Sequence, residues 1–413
     1  MNQNLLRIIL IYDKKFHQSL LKGLPLCYHQ KIDNKLTENI FSMTAKTFFG
    51  LEEVLKQELI NLGASKVNAG RRVVTFEGDL EILYKANLYC RTALKILVPI
   101  KEFNARNEAD LYEKVKKVNW AKYIDKDGTF AVDSTVWSDT FRHSKYVALK
   151  TKDAIADHFM EVFKRRPDVK IKNPDVQIHI HISKNSCILS LDSSGEALNR
   201  RGYRSEQKAA PLNEVLAAGL ILLTGWKGDR PFLDPMCGSG TIIVEAAMIA
   251  SNTPPGLKRK FAFMNWSKYD RRLWNQVFRE AKREIKEIEV PIVGSDIDRA
   301  SIEVAMANAG RSELDEDLRI SKQSFFDRKA IGENGVIVCN PPYGERIGKD
   351  IEELYKKMGD KLKQDFSGYD AWIFSGNMGA LKHVGLRPSK KIELYNGAIE
   401  CRLAKYEMYR GKK

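Results

Sequence analysis

Beyond residue 212 the chain alternates short apolar, β-branched runs with longer helical segments, and that alternation constrains its fold more than any other feature. The spacing predicts helix over 212–224, strand at Phe232–Asp234, helix over 241–251, a basic helix over 271–288 and strand over 290–296. It then predicts helix over 299–309, strand over 335–339, helix over 351–364 and strand over 371–375. Strands separated by helices pair through crossovers, so the sheet is mainly parallel with helices on both faces. The segment 398–408 (AIECRLAKYEM) alternates polar and apolar residues, which predicts a closing antiparallel strand.

The upstream half is more mixed. Leu51, Val54, Leu55, Leu59 and Leu62 fall at helical spacing, and Gly63 ends that helix. Val73, Val74 and Phe76 read as a strand, Ile82 to Leu88 as a second helix and 94–100 as another strand. Helix is expected over 108–118 and over 145–163, with strands at 130–136, 176–182 and 187–191. This is an α+β pattern. His179 and His181 lie two apart on one strand and share a face. No third ligand stands near them, so they read as a strand face and no metal is assigned. Residues 195–210 are polar and read as a junction.

Lys and Arg number 68 against 53 Asp and Glu, a net charge of +15. An excess of that size favours a polyanionic partner. The run LLRIILIY at 5–12 is too short to span a bilayer, and its charge lies on the wrong side for a secretory leader. The six cysteines include no C-x-x-C pair and suggest no disulfide framework, so the expected compartment is a reducing, cytoplasmic one.

Three motifs carry the chemistry. Asp234-Pro235-Met236-Cys237-Gly238-Ser239-Gly240-Thr241 follows a strand and opens a helix. Glycines there allow close approach of a ligand to the backbone, at the strand ends where open α/β sheets bind. The dinucleotide fingerprint and the P-loop lysine are both missing, which leaves a nucleoside-type cofactor. Asp296, in Gly294-Ser295-Asp296-Ile297-Asp298, ends the next strand, where a carboxylate can accept both ribose hydroxyls; Asp298 can instead cap the following helix. Asn340-Pro341-Pro342-Tyr343 follows strand 336–339. The prolines remove two donors. The Asn340 side-chain oxygen and the Pro341 carbonyl can then accept both hydrogens of a planar amine, aiming its lone pair, while Tyr343 stacks on the ring.

Asp234 to Thr241 together with Asn340 to Tyr343 resembles the class I S-adenosylmethionine-dependent amino-methyltransferases. Residues 43–195 resemble a ferredoxin-like domain followed by a THUMP RNA-binding domain. Residues 195–204 (GEALNRRGYR) and Asn396 to Cys401 resemble the first half of the RlmL-type 23S ribosomal RNA guanine-N2 methyltransferases. The resemblance implies an α/β, Rossmann-like class I methyltransferase domain preceded by α+β ferredoxin-like and THUMP domains. The expected division is an extension over 1–42, a ferredoxin-like domain over 43–100, THUMP over 101–195, a junction over 196–211 and the methyltransferase domain over 212–413. Some members of the family carry a second methyltransferase domain, which is not present in this sequence.

By the same resemblance, Asp234, Gly238 and Gly240 would line the methionine end of S-adenosylmethionine, with Pro235, Cys237 and Ser239 completing the loop. Asp296 would hold the ribose, and Asn340, Pro341, Pro342 and Tyr343 the target guanine. The family often places an Asp against the adenine amine; Gln323 and Ser324 stand nearest that position here, and Ser324 is assigned the contact. RNA phosphates would be met by Arg142, Lys145, Lys150 and Lys152, and the track would extend through Arg200, Arg201 and Arg204. Trp266 and Tyr269, beside basic residues over 258–283, read either as base-stacking groups or as core aromatics. The expected activity is guanine-N2 methylation of 23S ribosomal RNA. The same chemistry on transfer RNA and a non-catalytic RNA-binding assembly factor remain as alternatives; adenine methylation of DNA is disfavoured by the THUMP-like half.

Overall fold

The computed structural model describes residues 40–204, 212–342 and 350–410. The polypeptide forms two sheets. The first has eight strands in the order β2-β3-β1-β4-β8-β7-β5-β6. Strand β1 (Phe41–Lys46) lies antiparallel between β3 (Val73–Gly78) and β4 (Lys95–Asn104), with β2 (Ser65–Gly70) at the edge. Helices α1 (Glu52–Asn61) and α2 (Leu80–Tyr89) bury Leu55, Leu59 and Leu83 against Met43, Val74 and Phe76. Asp79 caps α2 by accepting from the Ile82 N–H.

Strand β4 continues past Pro99, where the missing donor coincides with a register shift between Pro99 and Lys101. From Leu97 to Asn104 it pairs with β8 (Ser186–Asp192), which pairs with β7 (Val176–Ser183); β5 (Thr129–Trp137) and β6 (Asp168–Val169) complete the sheet. Helices α3 (Glu108–Lys116) and α4 (Ser144–Phe163) cover one face over Phe130, Ile178, Ile180 and Leu189. The boundary expected at 100/101 therefore falls inside one strand. The extension expected over 1–42 also ends early: Phe41 and Ser42 are in β1, opposite Gly78 and Glu77.

The second sheet has the order β11-β10-β9-β12-β13-β15-β14. Five strands are parallel: β9 (Phe232–Asp234), β10 (Ile292–Asp296), β11 (Leu318–Lys322), β12 (Val336–Cys339) and β13 (Asp370–Ser375). As expected, the tail strand β15 (Ile399–Glu407) is antiparallel to β13; it also pairs with β14 (Lys390–Asn396), an unpredicted strand. Helices α5 (Glu214–Thr224), α6 (Thr241–Ala250) and α8 (Arg299–Ser312) cover the face of Phe232, Val336 and Val338. Helices α9 (Asp350–Asp365) and α10 (Met378–His383) cover the face of Leu233, Ile337 and Cys339. Burial on both faces is why these strands read as continuous apolar runs.

Between α6 and β10 an arm leaves the second sheet. It carries a short turn of helix, Ala262–Asn265, and α7 (Arg271–Arg283), which stops five residues before its expected end. Trp274, Val277 and Ala281 of α7 pack with Phe261 and Phe263 against Tyr84 of α2. The Tyr84 and Phe263 rings stack with centroids 4.5 Å apart. No helix among the described residues is long and apolar enough to cross a membrane.

Candidate active site

The strand order reverses at β9. The chain winds outward through β10 and β11 on one side, then returns to β12 and β13 on the other. A crevice opens beyond the carboxyl ends of such strands. Asp296 ends β10, Asp234 ends β9, and Asn340 directly follows β12. Two strand spacings, about 10 Å, separate β10 from β12. The topology thus brings together three motifs spread over about a hundred residues of sequence, from Asp234 to Asn340.

The loop after β9 is held through its backbone, partly to itself and partly to β10. Cys237 N–H donates to the Ser295 carbonyl at 2.9 Å and Gly240 N–H to the Cys237 carbonyl at 2.8 Å. Gly238 has φ +51° and Gly240 φ +78°, the left-handed region that favours glycine. A Cβ at Gly240 would lie 2.9 Å from Ala305 Cβ of α8, so that glycine also permits close packing. A Cβ at Gly238 would meet nothing within 4 Å: that glycine faces open space. Pro235 and Cys237 are buried beneath the loop, and burial pushes the Cys237 thiol up. Ser239 Oγ lies 3.3 Å from Thr241 Oγ1.

The two carboxylates differ. Asp234 is 1% exposed and accepts from Met236 N–H at 3.2 Å. Burial, with a smaller contribution from the Asp296 charge, raises its carboxyl to about 8. Asp296 is half-buried and accepts from Gly238 N–H and Asp298 N–H, both at 2.9 Å. Asp298 caps α8: its carboxylate accepts from Ser301 N–H and Oγ, which holds it below its ordinary range. Gln323 N–H donates to the Asp296 carbonyl, which sets Ser324 beside the end of β10; Ser324 Oγ accepts from Phe326 N–H and caps a single turn of helix.

On the β12 side, Asn340 Oδ1 is buried and has no hydrogen-bond partner among the described residues. Pro341 is buried and Pro342 exposed. Tyr343 lies outside the described residues. An unsatisfied buried acceptor carries a desolvation penalty of about 1–3 kcal/mol unless a donor arrives. Arg328 was not anticipated from the sequence, where it is one arginine in a loop. It is 9% exposed and donates from Nε to Ser295 Oγ and from Nη2 to Ser321 Oγ, tying β10 to β11 beneath the crevice.

The basic track is corrected in part. Arg142 and Lys145 are exposed, and Lys150 and Lys152 half-exposed, at the start of α4; Arg200 is exposed beside Glu196. Arg201 is 3% exposed. It donates to the Leu198 and Arg91 carbonyls and lies 3.4 Å from Glu245, so no face of its guanidinium is left for phosphate. Arg204 donates to the Leu212 carbonyl and Thr241 Oγ1 and pairs with Glu214, so it too is structural. Trp266 and Tyr269 are half-buried in the core between the arm and α2.

Family models match most of the described chain in series: the RlmL ferredoxin-like domain over 42–97, the THUMP domain over 105–192 and the RMKL-like methyltransferase domain over 201–405. A Synechocystis sp. protein named for an inferred RNA methyltransferase activity is 39% identical, over 89% of this chain and 98% of its own. The ribosomal RNA large subunit methyltransferase K/L of Syntrophotalea carbinolica is 41% identical over 87% of this chain and 52% of its own, so the chain spans about half the length of the K/L relatives it matches. The crystal structure of SMU.472, described as a methyltransferase and complexed with SAH, superposes with a TM-score of 0.82 at 32% identity, over 91% of this chain and all of that one. With the crevice built at the strand ends as described, the chain belongs to the RMKL-like methyltransferase family and carries that family's ferredoxin-like and THUMP domains ahead of the methyltransferase domain.

Proposed function

We propose that the chain transfers a methyl group from S-adenosylmethionine to the exocyclic N2 of a guanine in 23S ribosomal RNA. The observation that carries this reading is the buried Asn340 Oδ1, without a hydrogen-bond partner among the described residues, at the end of the strand that pairs with β9. The residues present suit the cofactor. Asp234 is a buried carboxylate that an ammonium group would satisfy, Asp296 stands where ribose hydroxyls would lie, and Gly238 borders open space. When bound, S-adenosylmethionine supplies an electrophilic methyl group on a sulfonium. Asn340 Oδ1 and the Pro341 carbonyl accept the two amine hydrogens and hold the nitrogen lone pair in line with that methyl. An aryl amine is a poor nucleophile because its lone pair is conjugated; orientation and two strong acceptors address that without a strong base. Tyr343 is assigned to stack on the base.

The target base must leave its stack to reach Asn340, so the substrate is a loop or an unpaired segment. Arg142, Lys145, Lys150 and Lys152 at the start of α4, with Arg200, would contact phosphates and set the register of the RNA. This reading implies a cytoplasmic protein. The 23S assignment is supported by the K/L relatives, which are named for the large ribosomal subunit.

The test is to delete the gene and measure N2-methylguanosine by mass spectrometry in purified 23S ribosomal RNA and in transfer RNA. Loss from the ribosomal fraction, restored by the wild type and not by Asn340→Ala, is the expected result. Loss confined to transfer RNA would move the same chemistry to another substrate. Restoration by Asn340→Ala would remove the residue from the reaction.

A further inference from the structure

The Ser239–Gly240 peptide is fixed at both ends. Its N–H donates to the Cys237 carbonyl at 2.8 Å, and its carbonyl, that of Ser239, accepts from Asn308 Nδ2 at 2.8 Å. Asn308 is fully buried on α8, one turn beyond Ala305, the residue against which Gly240 packs. Ala305 and Asn308 together form the floor of the glycine loop.

A side-chain amide can face either way, and here its direction is dictated. Arg311 Nη2 donates to Asn308 Oδ1 at 2.8 Å. A guanidinium has donors only, so the amide oxygen must face Arg311 and the NH2 must face Ser239. Arg311 Nε in turn donates to the Tyr203 carbonyl at 2.8 Å, in the junction between the RNA-binding half and the methyltransferase domain. The next residue, Arg204, donates to Thr241 Oγ1 at 2.7 Å, at the first turn of α6. The junction thus touches both sides of the loop.

We propose that Asn308 is a positioning residue for the cofactor, oriented by Arg311 from the junction backbone, and that this relay sets the peptide plane on which cofactor affinity depends. The inference rests on the reading that Gly238 to Gly240 hold S-adenosylmethionine. Removing the Nδ2 donor takes the Ser239 carbonyl's partner away and leaves the peptide plane held only through the Gly240 N–H. Asn308→Asp preserves shape and places an oxygen against that carbonyl.

The experiment is titration calorimetry of the full chain with S-adenosylhomocysteine, with circular dichroism to show that each variant is folded. The expected result for Asn308→Asp is a loss of affinity of about tenfold, on the scale of one buried hydrogen bond. In turnover, the KM for the cofactor rises while kcat at saturation stays within about twofold. Arg311→Met should weaken binding several-fold alone and add nothing in the Asn308→Ser background, where no amide is left to orient and no buried carboxylate is left unpaired. Asn308→Ser serves as the second variant if Asn308→Asp does not fold. A folded Asn308 variant with unchanged affinity, or additive effects of the two changes, overturns the relay. Asp296→Ala separates the two readings: if it weakens binding and the Asn308 variants do not, only the relay fails; if neither matters, the cofactor assignment of the loop fails.

Discussion

Asp234 is a carboxylate that the fold cannot solvate. It lies at the end of a fully buried strand, and its neighbouring charge, Asp296, is of the same sign. Burial above all, then that charge, raises it to about 8. The native chain without cofactor therefore holds a proton at pH 7 that the unfolded chain releases. Its contribution to stability is complete below about pH 4 and is lost as pH rises to about 8, by about 1.4 kcal/mol per pH unit in that window. Denaturant melts from pH 5 to 9 should show this slope in the wild type and a flatter profile in Asp234→Asn. An ammonium beside the carboxylate reverses the shift, so cofactor binding at pH 7 should release close to one proton. Calorimetric heats compared across buffers of different ionisation enthalpy measure that release. Its absence in the wild type would remove Asp234 from contact with the cofactor's cationic end.

At the scale of elements, the arm between α6 and β10 explains the long separation between the glycine motif and Asp296. Its α7 carries Trp274, Val277 and Ala281 at spacings of three and four, so one stripe is apolar and the opposite one basic. Sequence alone leaves open whether such aromatics meet RNA or a core; Trp274, 7% exposed and edge-on to Tyr84 at 5.8 Å, belongs to a core. Trp274→Ala should destabilise the chain by about 3–5 kcal/mol in a denaturant melt. A loss below 1 kcal/mol would mean that the arm does not hold the domains together. Parallel strands such as 336–339 were legible because they are apolar on both faces. Among the elements missed in the sequence were edge strands β2 and β14, which are largely exposed and polar, and β1, whose apolar residues are few and alternate with Ser42 and Thr44. Within the site, Asp234, Gly238, Gly240, Asp296 and Asn340 were legible because each sits at a strand end, where a motif has a local signature. Asn308 and Arg328 were not, because a buried polar residue in a helix or loop is defined by a partner distant in sequence. Arg201 failed for the same reason: next to Arg200 it reads as a surface charge, and only Glu245, 44 residues on, shows that it is interior.

For the whole molecule, the halves do not meet across a simple interface; each inserts into the core of the other. Leu51, at the start of α1, belongs to the core beneath the second sheet, and a Cβ on Gly219 of α5 would lie 2.5 Å from its side chain. In the other direction, Phe261, Phe263 and Trp274 complete the core beneath α2, and Trp266 also touches the THUMP core. Between them runs a buried ionic network. Arg201 binds the Arg91 carbonyl and pairs with Glu245 of α6, Tyr203 hydroxyl donates to that carboxylate at 3.0 Å, and Glu58 of α1 accepts from Arg91 N–H at 2.7 Å. Burial lowers the Arg91 guanidinium to about 10, with Glu245 and Glu58 opposing the shift. Breaking one member of such a set strands a buried charge, at about 3–5 kcal/mol. Domains joined this way should not unfold in turn. Thermal unfolding of the full chain should follow one transition, coincident in tryptophan fluorescence and far-ultraviolet circular dichroism. A fragment over 196–413 exposes three large aromatics and two buried charges, and should aggregate or bind a hydrophobic dye when expressed alone. Two separated transitions, or a monomeric fragment with the melting temperature of the full chain, would show that the halves are independent and that the RNA-contacting surface is free to move relative to Asn340. One shared transition instead means that the distance from α4 to the strand ends is set by packing; on the proposed reading, that fixed distance would govern which base of a bound RNA reaches Asn340.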